Sequence, residues 1–125
     1  GKSCFCSDTK RDLLDMEDFF SVVDAVLQPD APTGIFNVST GESRSIKDVF
    51  DAVASFLGIT IEEPPPIVPP GEDDVPEVVL DPAETERVLG WKAKIGFEQT
   101  IHRMLSWYDE HGVSDVFSHL AEPKN

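Results

Sequence analysis

Arg11-Asp12-Leu13-Leu14-Asp15-Met16-Glu17-Asp18-Phe19 is followed, one helix later, by Gly34-Ile35-Phe36-Asn37-Val38-Ser39-Thr40-Gly41. The pair reads as strand, helix, strand and turn, with one arginine at the head of the first strand. Asp15 is a good N-cap for a helix from about Met16 to Gln28, and Asp18 at its third position suits the positive end of the helix dipole. Phe19, Val22, Val23 and Val26 follow helical spacing, which predicts one buried stripe. Pro29 and Pro32 end the helix. Ile35-Phe36-Asn37-Val38 is expected as a short strand; with no clear alternation, it is a candidate for cover on both faces. Upstream, Ser3–Cys6 and Lys10–Leu14 read as the arms of a β-hairpin around the turn-forming Ser7-Asp8-Thr9.

Working outward, Ser45 reads as the N-cap of a second helix, with Asp48 at its third position. Val49, Phe50, Val53, Phe56 and Leu57 supply its apolar face, and Gly58 suits the position after its end. From Ile59 to Val79 the prolines of Pro64-Pro65-Pro66 and Pro69-Pro70 enforce extended backbone, and Gly71-Glu72-Asp73-Asp74 makes an acidic turn. Ile67, Val68, Val75, Val78 and Val79 give this loop something to bury, so it is expected to be ordered. Asp81-Pro82-Ala83-Glu84 starts a short helix that ends at Gly90-Trp91. A last helix is predicted from about Phe97 to Glu110, ending at Gly112, with Ile101, Met104, Leu105 and Tyr108 or Trp107 inward. Residues 113–120 carry spaced apolar residues that suit a further short helix.

The 125 residues suffice for one domain with a real core. Ten basic against 24 acidic residues give a net charge of −14. That balance argues against general binding of nucleic acid or of anionic membranes, both of which need a basic surface. A phosphate-bearing ligand would bind only where local donors and cations outweigh the global field. No apolar run approaches the roughly 18–20 residues that cross a bilayer, and Gly1-Lys2-Ser3 does not open a signal peptide. A cytoplasmic protein is the expectation. Cys4 and Cys6 share a face if they lie on a strand, and the spacing favours buried reduced thiols. A zinc site wants a second ligand pair, and a redox pair wants Cys-x-x-Cys.

The order of these motifs resembles the C-terminal part of NAD-dependent nucleotide-sugar epimerases and dehydratases, the extended short-chain dehydrogenase/reductase family, with UDP-glucose 4-epimerase as the pattern. The matching residues are Arg11-Asp12, Asp18, Asn37-Val38-Ser39-Thr40-Gly41, Ser45-Ile46, Asp74-Val75, Asp81-Pro82, Leu89-Gly90-Trp91 and Trp107-Tyr108. Each is weak alone; their order and spacing are specific. The resemblance implies that Arg11 contacts the diphosphate of a UDP-sugar, as a planar guanidinium does bidentately. The bland alternative is a surface arginine paired with Asp12 or Glu17. Asp74 is implied to lie near the sugar nucleotide, and Asn37 with its turn to form pocket wall; a loop-capping role for Asp74 stays open. Departures are Leu13 for an aromatic, Asp15 for His or Tyr, and Gly71 where many members carry a second phosphate-binding arginine.

Other chemistry is missing from the pattern. The eight glycines form no Gly-x-Gly-x-x-Gly, which a dinucleotide's pyrophosphate requires. The family's catalytic Tyr-x-x-x-Lys is not present: the single tyrosine, Tyr108, has Gly112 four residues on and reads as packing. His102, His111 and His119 have no metal-helix spacing, there is no Gly-x-Ser-x-Gly elbow, and Glu62, Glu63, Glu72, Asp73 and Asp74 read as a solvated acidic loop.

The expectation is therefore an α/β fold, a small sheet with three to four helices, forming one domain over 1–125. It corresponds to the C-terminal, nucleotide-sugar-binding part of a Rossmann-type enzyme without the dinucleotide-binding domain. No catalytic, cofactor-binding or metal-binding residue is assigned, and NAD belongs to the parent family rather than to these residues. The resemblance places the parent reaction in polysaccharide biosynthesis. The alternative is a non-enzymatic binding or oligomerisation module that reuses the half-fold. In either case an unpaired edge at Ile35–Val38 calls for a homo-oligomer or a complementing N-terminal half.

Overall fold

The computed structural model describes residues 4–112. Five two-residue strands and four helices follow one another as β1 (Cys6–Ser7), β2 (Lys10–Arg11), α1 (Met16–Val26), β3 (Arg44–Ser45), α2 (Ile46–Phe56), β4 (Ile67–Val68), β5 (Glu77–Val78), α3 (Ala83–Leu89) and α4 (Phe97–His111). The expected α/β class holds, with the strands divided between two small sheets. Among the described residues no helix is long and apolar enough to cross a membrane.

The helices begin where local chemistry places them. Asp15 accepts a hydrogen bond from the Glu17 backbone N–H at 2.8 Å and caps α1. Ser45 caps α2 through a reciprocal box: the Asp48 N–H donates to Ser45 Oγ and the Ser45 N–H to the Asp48 carboxylate. Those bonds to Ser45, backbone first, hold the Asp48 carboxyl below its ordinary pKa. Gly58, at φ 64°, follows the end of α2 in the left-handed region that closes helices. Asp81 Oδ1 accepts from the Ala83 N–H at the start of α3.

The expected hairpin does not form. β1 pairs in parallel with β4, and β2 pairs antiparallel with β3 and parallel with β5. Between β1 and β2 the chain crosses from one sheet to the other: the Asp8 N–H donates to the Val68 carbonyl, the Lys10 N–H to the Pro76 carbonyl. The proline-rich segment 59–79 thus supplies β4 and β5, which take the bonds a hairpin would have used. It buries less than its composition suggests, because Ile67, Val75, Val78 and Val79 stay exposed.

The stripe on α1 is likewise only half inward. Val22 is buried and Val23 half-buried, while Phe19, Phe20, Val26 and Leu27 face outward. On α4, Ile101 is buried and Leu105 and Tyr108 half-buried, but Met104 and Trp107 are exposed. Cys6 is buried and Cys4 exposed, so the two thiols do not share an environment; both are free. Among the described residues Ile35–Val38 pairs with no strand, and Ile35 is 97% exposed. The expected helix over 113–120, and His119, lie outside the described residues.

Candidate functional site

β2, the central strand of the three-stranded sheet, ends at Arg11, and the loop before β5 comes to meet it. Arg11 Nη2 donates to Asp74 Oδ1 at 2.7 Å, and Nη1 donates to the carbonyls of Lys10 and Val75, both at 2.8 Å. The two side chains are 33% and 41% exposed, so this is an open ion pair rather than a buried one. The Asp74 N–H closes its own turn onto the Gly71 carbonyl. Two residues singled out 63 positions apart are therefore in direct contact. Neither alternative partner of Arg11 takes it: Asp12 is committed elsewhere, and Glu17 pairs with Arg103.

Asn37 is engaged at a different place. Its Nδ2 donates to the Asp81 carbonyl at 3.1 Å, and its own carbonyl accepts from Thr85 Oγ1 at 2.6 Å. Ser39 Oγ donates to the Leu80 carbonyl. These bonds lash the segment 35–40 to the start of α3, doing with side chains what strand pairing does with backbone.

Two aspartates of the opening stretch act as anchors that sequence reading did not assign. Asp12, next to Arg11, accepts from the Thr40 N–H and Oγ1 through one oxygen and from the Gly41 N–H through the other, at 2.7–2.9 Å. It fixes the 39–41 turn beside β2. Gly41 itself needs φ 77°, and a Cβ there would lie 3.2 Å from Pro82 Cδ. Asp18, 4% exposed, accepts from the Lys94 and Ile95 N–H groups through one oxygen. Trp91 Nε1 donates to Ser21 Oγ at 2.7 Å alongside it. The available sequence signal for both aspartates was their place among the matched motif residues, Arg11-Asp12 and Asp18.

Beside β2 and β3 a cleft of about 220 Å³ is lined by Leu13, Thr40, Arg44, Lys92, Lys94 and Phe97. Arg44 Nη2 bonds Glu42 at 3.0 Å, and the guanidinium carbon lies 5.4 Å from the Phe97 ring centroid. Its Nε is buried without a partner among the described residues. A second groove, about 540 Å³, runs between α1 and α4 and is lined largely by Met16, Phe20, Met104, Trp107 and Tyr108. Tyr108 packs edge-on against Trp107, whose other neighbour, His111, stacks on it at 4.5 Å. His102 lies edge-on to Phe56. Among the described residues no cluster of His, Cys, Asp and Glu could hold a metal ion.

The family model described as GDP-mannose 4,6 dehydratase matches residues 5–104. A probable UDP-arabinose 4-epimerase 3 of Arabidopsis thaliana is 30% identical over 104 residues, which are 81% of this chain and 25% of that protein. The UDP-glucose 4-epimerase of Caenorhabditis elegans is 33% identical over 75 residues, covering 60% of this chain and 21% of its own. Among solved structures, the Bordetella bronchiseptica enzyme WbmG in complex with NAD and UDP superposes with a TM-score of 0.87 at 59% identity. That match covers 98% of this chain and 40% of WbmG. The chain thus spans a quarter or less of these curated relatives and two-fifths of WbmG.

Proposed function

We propose a function from one premise: the chain belongs to the GDP-mannose 4,6 dehydratase family of NAD-dependent nucleotide-sugar epimerases and dehydratases, within the extended short-chain dehydrogenase/reductases. Its role is to hold the nucleotide-sugar. Arg11 grips the diphosphate, exchanging its exposed bond with Asp74 for phosphate oxygens. Asp74, freed beside it, accepts hydrogen bonds from hydroxyls of the ligand. Asn37, through its hold on Asp81, keeps the neighbouring wall in place. The observation that carries this reading is the Arg11–Asp74 contact at the end of β2, where both groups keep enough exposure to meet a ligand.

The ligand is a UDP-sugar, since the named epimerases act on UDP-sugars and WbmG was solved with UDP. When bound to the whole enzyme, NAD would supply the reversible hydride acceptor of the parent reaction. These residues offer no glycine-rich dinucleotide loop and no Tyr-x-x-x-Lys, so we assign dinucleotide binding and proton transfer to polypeptide outside them. The 1–125 segment is then a single nucleotide-sugar-binding unit, catalytically incompetent alone, and cytoplasmic with its pathway. Its outward Phe19, Phe20, Leu27 and Ile35 fit a complementing N-terminal half or, in its absence, a second copy of the chain.

Calorimetry with UDP, UDP-glucose and NAD, repeated on Arg11→Ala, tests the reading. Weak heats with UDP and UDP-glucose that vanish in the variant, and none with NAD, are expected. Unchanged UDP binding by Arg11→Ala, or epimerase turnover by the chain alone, would overturn it. Light scattering on the eluted chain checks the partner: a monodisperse monomer contradicts the exposed-face argument.

A further inference from the structure

β2 and β3 run antiparallel with Arg11 opposite Arg44. Residues directly opposed in an antiparallel ladder rise from the same face, with Cβ atoms about 4.5–5.5 Å apart. Two of the chain's four arginines therefore stand side by side on one face, in a protein of net charge −14. Like charges so placed repel and cost stability. The two guanidinium groups lean apart: Arg11 reaches over β5 to Asp74 and Val75, and Arg44 reaches the other way to Glu42 and the face of Phe97.

Arg44 is poorly satisfied where it lies. A guanidinium offers five N–H donors. Among the described residues its one hydrogen bond is to Glu42, whose side chain is 69% exposed, and its Nε is buried with no partner. The cleft it lines also holds Leu13, two residues beyond Arg11 along the extended backbone, and the cations Lys92 and Lys94. A diphosphate carries at least two negative charges, and one exposed guanidinium in so acidic a chain is little to hold it. The loop on the other side of Arg11 cannot help, because it supplies Glu72, Asp73 and Asp74.

Resting on the reading that Arg11 meets a nucleoside diphosphate, we propose that Arg44 is the second diphosphate-binding arginine. The opposed pair forms a two-guanidinium clamp, and Glu42 is the counter-ion that parks Arg44 between ligands. The anion removes the repulsion between the pair and satisfies the Arg44 Nε–H. The clamp selects a diphosphate over a monophosphate, because only the longer anion reaches both groups.

The test is an NMR titration with UDP, UMP and uridine on the unaltered chain, Arg44→Ala, Arg44→Lys, Arg11→Ala and the charge control Arg87→Ala. Arg87 sits on exposed α3, paired with Glu84, away from the clamp. Arg44→Ala should weaken UDP roughly tenfold, the loss of one charged hydrogen-bonding group, and UMP much less. Arg44→Lys should recover part of the affinity, and Arg87→Ala should match the unaltered chain. If Arg44→Ala fails to fold, the Arg44 Nε–H resonance of the unaltered chain decides: it should move with UDP and stay with uridine. UDP binding that survives Arg44→Ala but not Arg11→Ala, or an Arg44 resonance that UDP leaves unmoved, overturns the clamp and leaves the Arg11 reading intact. UDP binding that is absent, indifferent to both arginines, or equalled by uridine overturns both.

Discussion

Asp18 and Asp74 are both carboxylates bound to groups more than 60 residues away, and they do opposite work. Asp18 is 4% exposed and holds two backbone N–H groups of the 94–95 loop. Asp74 is 41% exposed and holds a guanidinium that other anions can reach. A buried carboxylate filled by backbone donors has no exchangeable partner, so it is scaffold. An open ion pair exchanges its bond for a ligand at little cost. The family's motif residues thus divide by burial: Asp12 and Asp18 build the frame, with Asn37 tying in its neighbouring segment, and Arg11 with Asp74 forms the open pair that we propose as the ligand contact.

The contrast breaks most visibly at Asp18. Asp18→Ala leaves two N–H groups without an acceptor and should cost about 3 kcal/mol in urea unfolding. Asp18→Asn keeps one oxygen where both donors converge and should cost clearly less. Asp12→Ala comes next, at about 2 kcal/mol by the same assay, because its three bonds to the 40–41 turn are only partly buried. Arg11→Ala sharpens the contrast from the other side: less than about 1 kcal/mol of stability should go with the exposed pair, while UDP binding is abolished. A stability loss at Arg11 as large as at Asp18 would erase the distinction.

The smallest effect is expected at the start of α2. The hydrogen bonds from Ser45 lower the Asp48 pKa in the folded chain. The unfolded chain therefore binds the proton more tightly, and the cap's contribution is fully present above the ordinary aspartate range. It is lost as the pH falls through the lowered value. Acid titration of the Asp48 carboxyl by NMR should show that lowered midpoint, and Ser45→Ala should return it towards the ordinary one.

Local chemistry was legible in the sequence and long-range pairing was not. The caps at Asp15 and Ser45 and the ends at Gly58, Gly90 and Gly112 were readable because their partners lie within a few residues. The hairpin over residues 3–15 was misread because β1 and β2 choose strands some 60 residues downstream, and nothing local announces that choice. Helical spacing located Phe19, Val26 and Met104 on helices, but periodicity reports a stripe and not what covers it. Resemblance named Arg11 and Asp74 as candidates, and the fold puts them in contact. The anchoring role of Asp18 and the rung shared by Arg11 and Arg44 required the register of the chain.

The most direct measurement follows side-chain and backbone signals together while UDP is added to the unaltered chain. The Arg11 Nε–H resonance should move saturably with UDP, and the Lys94 and Ile95 amides bonded to Asp18 should stay where they are. An Arg11 resonance that ignores UDP, or amides at Lys94 and Ile95 that move as far as Arg11 does, would contradict the division between ligand contact and frame.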